Sequence, residues 1–319
     1  MEPLRQDDPR HPGRYRPVGG IDAADTGVPV PVRRLVARMP GGDHTLLLTL
    51  PRPELAGDGA YGQRFVAEAE QARRLGGFAP ALEQLVEVFA GAPGEPPWHA
   101  SPYAPAVPLP GALAAHGRGL GERTVRALGL ELAGTLAALH VQGVAHAGVA
   151  PGTVLLGADG PRLTGFGSVR ALAPEGRDRR AVAGLPPEAL PPEQLSGGRP
   201  RPPGDVYGLG AVLAYAATGR LAPDVSGLPM GLRETVGSCL AADPADRPQA
   251  SAVRDALRAG LAAPVPPGPP AGPAPPVPAP VTTLDGGADA FGPGWLPGRV
   301  IAALARQSAR ALAAPGDRR

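Results

Sequence analysis

Along residues 123–142 the apolar side chains Val125, Leu128, Leu132, Leu136 and Leu139 recur every three or four positions, which predicts an amphipathic helix that Gly143 ends. Residues 60–75 (AYGQRFVAEAEQARRL) carry the same spacing through Phe65, Ala69, Ala72 and Leu75, and the short apolar run 45–50 (TLLLTL) suits a buried strand. Two β-like runs, 154–156 and 161–164, flank Gly157-Ala158-Asp159-Gly160, a turn tetrapeptide of hairpin type. Residues 205–218 (DVYGLGAVLAYAAT) are apolar on nearly every face, the pattern of a buried central helix. Two further helices are predicted over 228–241 and 248–261, with Pro248 in the first turn of the second.

The two ends differ from this pattern. Residues 1–14 are polar and read as a flexible leader, with no apolar stretch of signal-peptide kind. Residues 264–280 (PVPPGPPAGPAPPVPAP) offer almost nothing to bury and read as an extended polyproline-like spacer. Beyond it, residues 295–314 place Val300, Ile301, Leu304, Ala311 and Leu312 on one side of a short amphipathic helix with Arg299, Arg306 and Arg310 interspersed.

Composition narrows the chemistry. The 319 residues contain 46 Gly and 44 Pro, and all 31 basic residues are Arg, since the chain has neither Lys nor Asn. Any site that needs an amine or an Asn amide is therefore excluded. A net charge of +2 from scattered Arg gives no support to nucleic-acid binding. The single cysteine, Cys239, permits neither an intrachain disulfide nor a thiolate zinc site and reads as a small buried hydrophobe. His11, His44, His99, His116 and His140 show no ligand spacing, so no metal site is expected. No run approaches the roughly 18 to 20 apolar residues of a membrane span, and a cytoplasmic location is expected.

Five blocks stand in order: a helix followed by GVAHAGVAPGTVLL, the hairpin turn, RLTGFGSVR, then PPEQL, GDVYGLGAVL and DPADRP. Together they resemble the eukaryotic-like Ser/Thr protein kinase family of bacteria. The resemblance implies an α+β, two-lobed fold over residues 15–262, with a β-rich N-lobe (about 15–105) carrying one main helix and a mostly helical C-lobe (about 106–262). A Pro-rich linker (263–294) and a C-terminal helical segment (295–319) follow.

In that family the catalytic loop reads His-Arg-Asp-Leu-Lys-Pro-x-Asn, and the matching run here is His146 to Thr153. Gly148 replaces the proton-accepting Asp, Ala150 the loop Lys, and Thr153 the Mg²⁺-binding Asn. Gly165 replaces the Asp of the metal-binding Asp-Phe-Gly motif, and Thr49 the phosphate-binding Lys, with Leu47 where an Ala normally touches adenine. The glycine-rich loop places Asp22 and Ala24 at its first two Gly positions and keeps Gly27, so acidic Asp22 and Asp25 would repel a triphosphate. Glu68, from the helix that supplies the family's Lys partner, has no Lys to meet and reads as a solvated helix charge.

Residues that support the family's architecture are present. His146 and Phe166 match a stacked spine, Asp205 the carboxylate that caps the catalytic-loop backbone, and Glu193 and Arg247 a buried ion pair tying the activation segment to the lower lobe. No Ser, Thr or Tyr occurs between Val169 and Leu195, and Ala147 replaces the Arg that would receive a loop phosphate. These residues imply a catalytically inactive kinase-like module, a pseudokinase, with an unidentified protein partner, no cofactor and no metal. An active or atypical kinase, or a nucleotide transferase, would use ATP and Mg²⁺. A scaffold driven by its tail, or a membrane-surface protein, is a further alternative, although the few Arg and many small Ala of the last segment disfavour a lipid surface.

Overall fold

A computed structural model describes residues 1–22, 26–39, 44–93, 95–262, 291 and 294–313. An antiparallel sheet in the order β1-β2-β3-β5-β4 is built from β1 (Arg16–Gly20), β2 (Val32–Arg38), β3 (Thr45–Pro51), β4 (Glu87–Phe89) and β5 (Trp98–Pro102). A short α1 (Pro53–Ala56) precedes α2 (Gly59–Leu75), whose first turn is capped by the Asp58 carboxylate accepting from the Tyr61 amide at 2.9 Å. The buried stripe of α2, Tyr61, Phe65, Ala69 and Ala72, is the one its spacing predicts.

After β6 (Ala106–Pro108) the chain is mostly helical: α3 (Leu109–His116), α4 (Glu122–Val141), α5 (Ser168–Leu172), α6 (Pro192–Leu195), α7 (Pro202–Thr218), α8 (Met230–Cys239), α9 (Ala250–Ala262) and α10 (Gly298–Ala313). The strands β7 (Val154–Gly157) and β8 (Gly160–Leu163) form a hairpin that joins β6 in a second sheet, turning at Gly160 with φ +129°. The α4 leucines 128, 132, 136 and 139 are fully buried, each contributing roughly 1.5–3 kcal/mol, and the helix packs against α7 and α9. Buried on nearly all faces, α7 is the central helix that its composition predicts. Cys239 is buried as a free thiol, and burial pushes it up to about 12, so it is inert.

Some expectations are corrected. Helix α7 begins at Pro202 and not Asp205, because Pro202 and Pro203 fit a first turn whose N–H groups need no helical partner. Pro248 lies ahead of α9 and not inside it. Residues 1–14 are not a free leader: Glu2 bridges Gly20, and buried Asp8 receives the Arg33 guanidinium at 2.5 and 2.6 Å. Burial alone would raise the Asp8 carboxyl, but Arg33 and the Arg5 amide outweigh it and hold the group below its ordinary range. The Pro-rich linker expected at 263–294 lies outside the described residues apart from Phe291 and Gly294.

Between the start of α6 and the turn before α9, Arg247 donates to both Glu193 carboxylate oxygens, at 2.7 and 2.9 Å, and to the carbonyls of Ala241, Pro203 and Ala242 at 2.8, 3.1 and 3.0 Å. Its side chain is fully buried while that of Glu193 is 31% exposed. That asymmetry makes the two ends unequal. Arg247→Ala is expected to destabilise the domain by about 3–5 kcal/mol, because it strands a carboxylate and three carbonyls together. Glu193→Ala should cost about 2 kcal/mol, since the carbonyls still hold the cation. Urea unfolding of both variants and the double mutant checks this; additive losses below about 0.5 kcal/mol each would show that the pair does not support the fold.

Candidate functional site

The positions that resemble the kinase catalytic groups converge where β3, α2, the loop 146–153 and the turn 164–167 meet. The carboxylate of Asp205, in the first turn of α7, accepts the amides of His146 at 2.7 Å and Ala147 at 2.8 Å, and also meets His140 Nε2 at 3.0 Å. These bonds hold Ala147 at φ +54°, a left-handed conformation that costs a non-glycine residue about 1–2 kcal/mol. His146 stacks edge-on with Phe166, ring centroids 5.5 Å apart, and the Arg170 guanidinium lies 5.1 Å over the Phe166 ring.

Around this frame the backbone has closed into the space of the missing side chains. A Cβ at Gly148 would lie 2.0 Å from the Gly165 carbonyl oxygen. Gly165 itself has φ +74°, and its Cβ would lie 2.6 Å from Thr153 Cγ2. Thr153 Oγ1 donates to the Gly148 carbonyl at 2.7 Å and accepts from the Ala150 amide at 3.1 Å, while Thr164 Oγ1 donates to the Thr153 carbonyl at 2.9 Å. The two loops are thus knitted by the Thr153 and Thr164 hydroxyls bonding to backbone, and a Cβ on Gly148 or on Gly165 would meet the facing loop.

Arg34, on β2 opposite Thr49, fills the centre of the cleft at 1% exposure. Its Nε donates to Asp22 Oδ1 at 2.8 Å, Nη2 donates to the same carboxylate oxygen and to the Gly152 carbonyl at 3.0 Å, and Nη1 reaches Thr164 Oγ1 at 3.3 Å. Asp22 Oδ2 also accepts the Arg34 amide at 2.8 Å. Asp22 therefore does not stand free to repel a triphosphate, as its sequence position suggests; it neutralises a buried cation. Gly27 keeps a left-handed φ of +66° in open space, and Ala24 lies outside the described residues.

Apolar packing borders Arg34 on two sides, while an open pocket of about 270 Å³ remains between Gly27, Val28 and Val30 above and Pro108, Pro110 and Gly152 below. On the β6 side Leu47 packs with Ile21, Val36, Ala106, Leu155 and Ala311 in one buried cluster. On the α2 side Leu185 of the activation segment packs with Val32, Tyr61 and Phe65, and neighbouring Gly184 presses against Pro31. Behind Thr49 lies a cavity of about 30 Å³ lined by Phe65, His99 and Phe166, room for roughly one water. Thr49 Oγ1 and His99 Nδ1 are buried there without protein partners.

Glu68 is not a solvated charge. It pairs with Arg170, through Oε1 at 2.7 Å and Oε2 at 2.6 Å, while Arg170 also donates to the Ala145 carbonyl at 3.0 Å. Arg170 stands in the GFGSVR block, three residues beyond Gly167, and an acid-for-base search in that block could have found it. Arg179 left no comparable signal. Fully buried, it donates to the carbonyls of Ala173, Gln194 and Gly198 at distances from 2.7 to 3.1 Å, fastening an activation segment that has no hydroxyl to phosphorylate. Among the described residues no group of three or more His, Cys, Asp or Glu is placed to hold a metal, and no helix is long and apolar enough to cross a membrane.

No protein-family model matches the chain. It is 35% identical over 265 residues to "Probable serine/threonine-protein kinase PkwA" of Thermomonospora curvata, covering 78% of this chain and 34% of that protein. It is 30% identical over 266 residues to "Serine/threonine-protein kinase AfsK" of Streptomyces coelicolor, covering 78% of this chain and 32% of the relative. The chain therefore spans about a third of the length of these curated relatives. The crystal structure of the Mycobacterium tuberculosis PknI kinase domain superimposes with a TM-score of 0.58 at 22% identity, covering 77% of this chain and 96% of that domain, which shows the shared two-lobed fold.

His146 gives this site a pH signature. Both ring nitrogens are buried without partners, and burial, opposed by the Asp205 charge, lowers the imidazole from 6.5 to about 4. The folded state binds the proton later than the unfolded chain, so the neutral ring's contribution is complete above pH 6.5 and is lost as pH falls toward 4. Unfolding free energy should drop by about 3 kcal/mol across that window, and His146→Leu should flatten the drop. An unchanged slope in chemical denaturation of the variant would assign the effect to other groups.

Proposed function

The chain belongs to the bacterial eukaryotic-like Ser/Thr protein kinase family, and from that premise we propose that its kinase domain is a catalytically inactive binding and regulatory module. The observation that carries this reading is the approach of Gly148 to the Gly165 carbonyl, 2.0 Å from where a Cβ would stand. Phosphoryl transfer depends on positioning and on charge stabilisation by a Lys and by metal ions that carboxylates hold. The position of the proton-accepting carboxylate, Gly148, is closed by the Gly165 carbonyl; at the metal-binding position, Gly165, a Cβ would meet the Thr153 side chain; and Thr49 stands where the Lys would be.

ATP and Mg²⁺ do not fit the residues present. The centre of the cleft is taken by Arg34 and Asp22, and its β6-side end by packing of Leu47, Leu155 and Ala311. A nucleotide seated past Leu47 would have to separate an apolar cluster, and one reaching the centre would have to displace a buried ion pair. The module then acts through its surface on a protein partner, without a cofactor. A cytoplasmic setting accords with a single buried thiol and no disulfide. The names of the relatives favour a second reading, an active Ser/Thr kinase, in which ATP and Mg²⁺ would be the co-substrates.

Two measurements separate these readings. Thermal unfolding with millimolar ATP, with and without Mg²⁺, is expected to show no shift, whereas ligand at 100 Kd would add about 2.7 kcal/mol to stability. Radiolabelled phosphate transfer that disappears on Asp22→Ala or Glu68→Ala would overturn the proposal. Restoring the family residues gives a stronger test: Thr49→Lys, Gly148→Asp, Thr153→Asn and Gly165→Asp combined should yield no activity. Gly148→Asp or Gly165→Asp alone should lower stability by at least about 2 kcal/mol, because the obstacle at Gly148 is backbone and Gly165 has a positive φ.

A further inference from the structure

The buried stripe of α10 is Val300, Leu304, Gln307 and Ala311, spaced by four, three and four residues, and it runs onto both lobes. Its first half is held by the C-lobe core. Trp295, Leu296, Val300 and Leu304 belong to the same buried cluster as Leu109, Leu113 and Leu128. Trp295 Nε1 donates to the Ala158 carbonyl at 3.0 Å, the Trp295 carbonyl accepts from Thr124 Oγ1 at 2.8 Å, and Phe291 packs edge-on against the indole at 4.9 Å.

The second half belongs to the connection between lobes and to the N-lobe sheet. Gln307 Nε2 reaches the hydroxyl of Tyr103, between β5 and β6, at 3.4 Å. Ala311 enters the cluster of Ile21, Val36 and Leu47. At the end of the helix Arg38 from β2 donates to the carbonyls of Ala311 and Leu312, the latter at 3.2 Å, supplying a cation and hydrogen bonds where a helix terminus has unpaired acceptors. Arg310 Nη1 donates to the Met1 carbonyl at 2.7 Å.

From this asymmetry we infer that α10 is an interlobe brace whose residues 305–313 form a releasable strap, fixing the angle between the lobes and covering the β6-side mouth of the cleft. The anchored half buries an indole and three large aliphatic side chains. The strap buries one small Ala on the N-lobe and otherwise relies on polar ties, two of them at the exposed rim. A helix of sixteen residues spans about 24 Å, enough to cross from one lobe to the other as a rigid rod. Release of the strap would therefore free the sheet while leaving the helix tethered by Trp295 and Val300. The inference does not rest on catalytic inactivity, because a brace restrains an active and an inactive domain alike.

The test uses the full chain with spin labels at His44→Cys and Leu312→Cys, both exposed; native Cys239 is buried and does not compete. The distance distribution should be single and narrow. Ala311→Arg, which places a charge in the Leu47 cluster, should broaden it. A second variant, Arg38→Gln with Gln307→Ala, removes polar ties without crowding the core. It should raise amide hydrogen exchange in β2 and β3 at least five-fold and leave α4 and α7 unchanged. A broad distribution in the unsubstituted chain, a narrow one in Ala311→Arg, or exchange in β2 and β3 that does not move would each overturn the brace.

Discussion

A guanidinium shut between two lobes has to be matched where it lies, and the placement of Arg34 governs the cleft around it. An unpaired buried charge costs several kcal/mol, so the loop after β1 must bring Asp22 to it, and the catalytic-loop carbonyl of Gly152 must stay within reach. Those two partners come from opposite lobes. A side chain of the protein itself thus spans from one lobe to the other. Opening the lobes would break Arg34 from Gly152 and Thr164 while leaving it with Asp22. The cleft is closed by a tie whose energy lies in both lobes at once.

The same chemistry recurs because the chain has a single kind of strong cation. A Lys ammonium is a point charge that sheds its proton readily when buried; a guanidinium keeps its charge and offers five donors in a plane. Arg33, Arg34, Arg179 and Arg247 exploit this by spreading over several acceptors. Arg33 takes a two-point grip on Asp8, Arg247 adds three carbonyls to Glu193, and Arg179 rests on carbonyls without a paired carboxylate. Burial lowers the Arg179 guanidinium from its ordinary value, and dispersal over several oxygens compensates that lost hydration. In the activation segment these bonds form without a phosphate.

What was legible in the sequence is what rests on local period or on ordered motifs. The leucines of α4 and the apolar faces of α7 announce their helices, and the blocks around His146, Phe166 and Asp205 announce the frame of the site. The closed cleft was hidden for a different reason. Alternation in a strand predicts that of two neighbours, Arg33 and Arg34, one faces solvent. Both are buried, because β2 is covered on one side by the leader through Asp8 and on the other by the catalytic loop through Gly152. No local pattern reveals which residue thirty or a hundred positions away will lie over a strand. The leader was misread as free on the same grounds, since its composition is polar and its one anchoring carboxylate meets a partner 25 residues on. Glu68 looked solvated because its family partner, a Lys on β3, is absent; the cation came instead from α5.

Removing carboxylates and closing the backbone are linked physically. Two carboxylates facing each other in an unliganded cleft repel, and each needs solvent or a metal to remain charged. Glycine at both positions removes the repulsion and the bulk together, so the loops can approach until Gly148 meets the Gly165 carbonyl. Once they have approached, no single replacement reopens the gap, because a side chain on either loop meets the backbone or side chain of the other. The frame that Asp205 and the Glu193–Arg247 pair maintain is indifferent to this change, since its contacts lie beneath the cleft and not across it. The lobes are joined by Arg34, by Leu185 against Val32, by Glu68 of α2 with Arg170 of α5, and by α10. A change in the angle between the lobes strains these joints together, because each has a partner in either lobe.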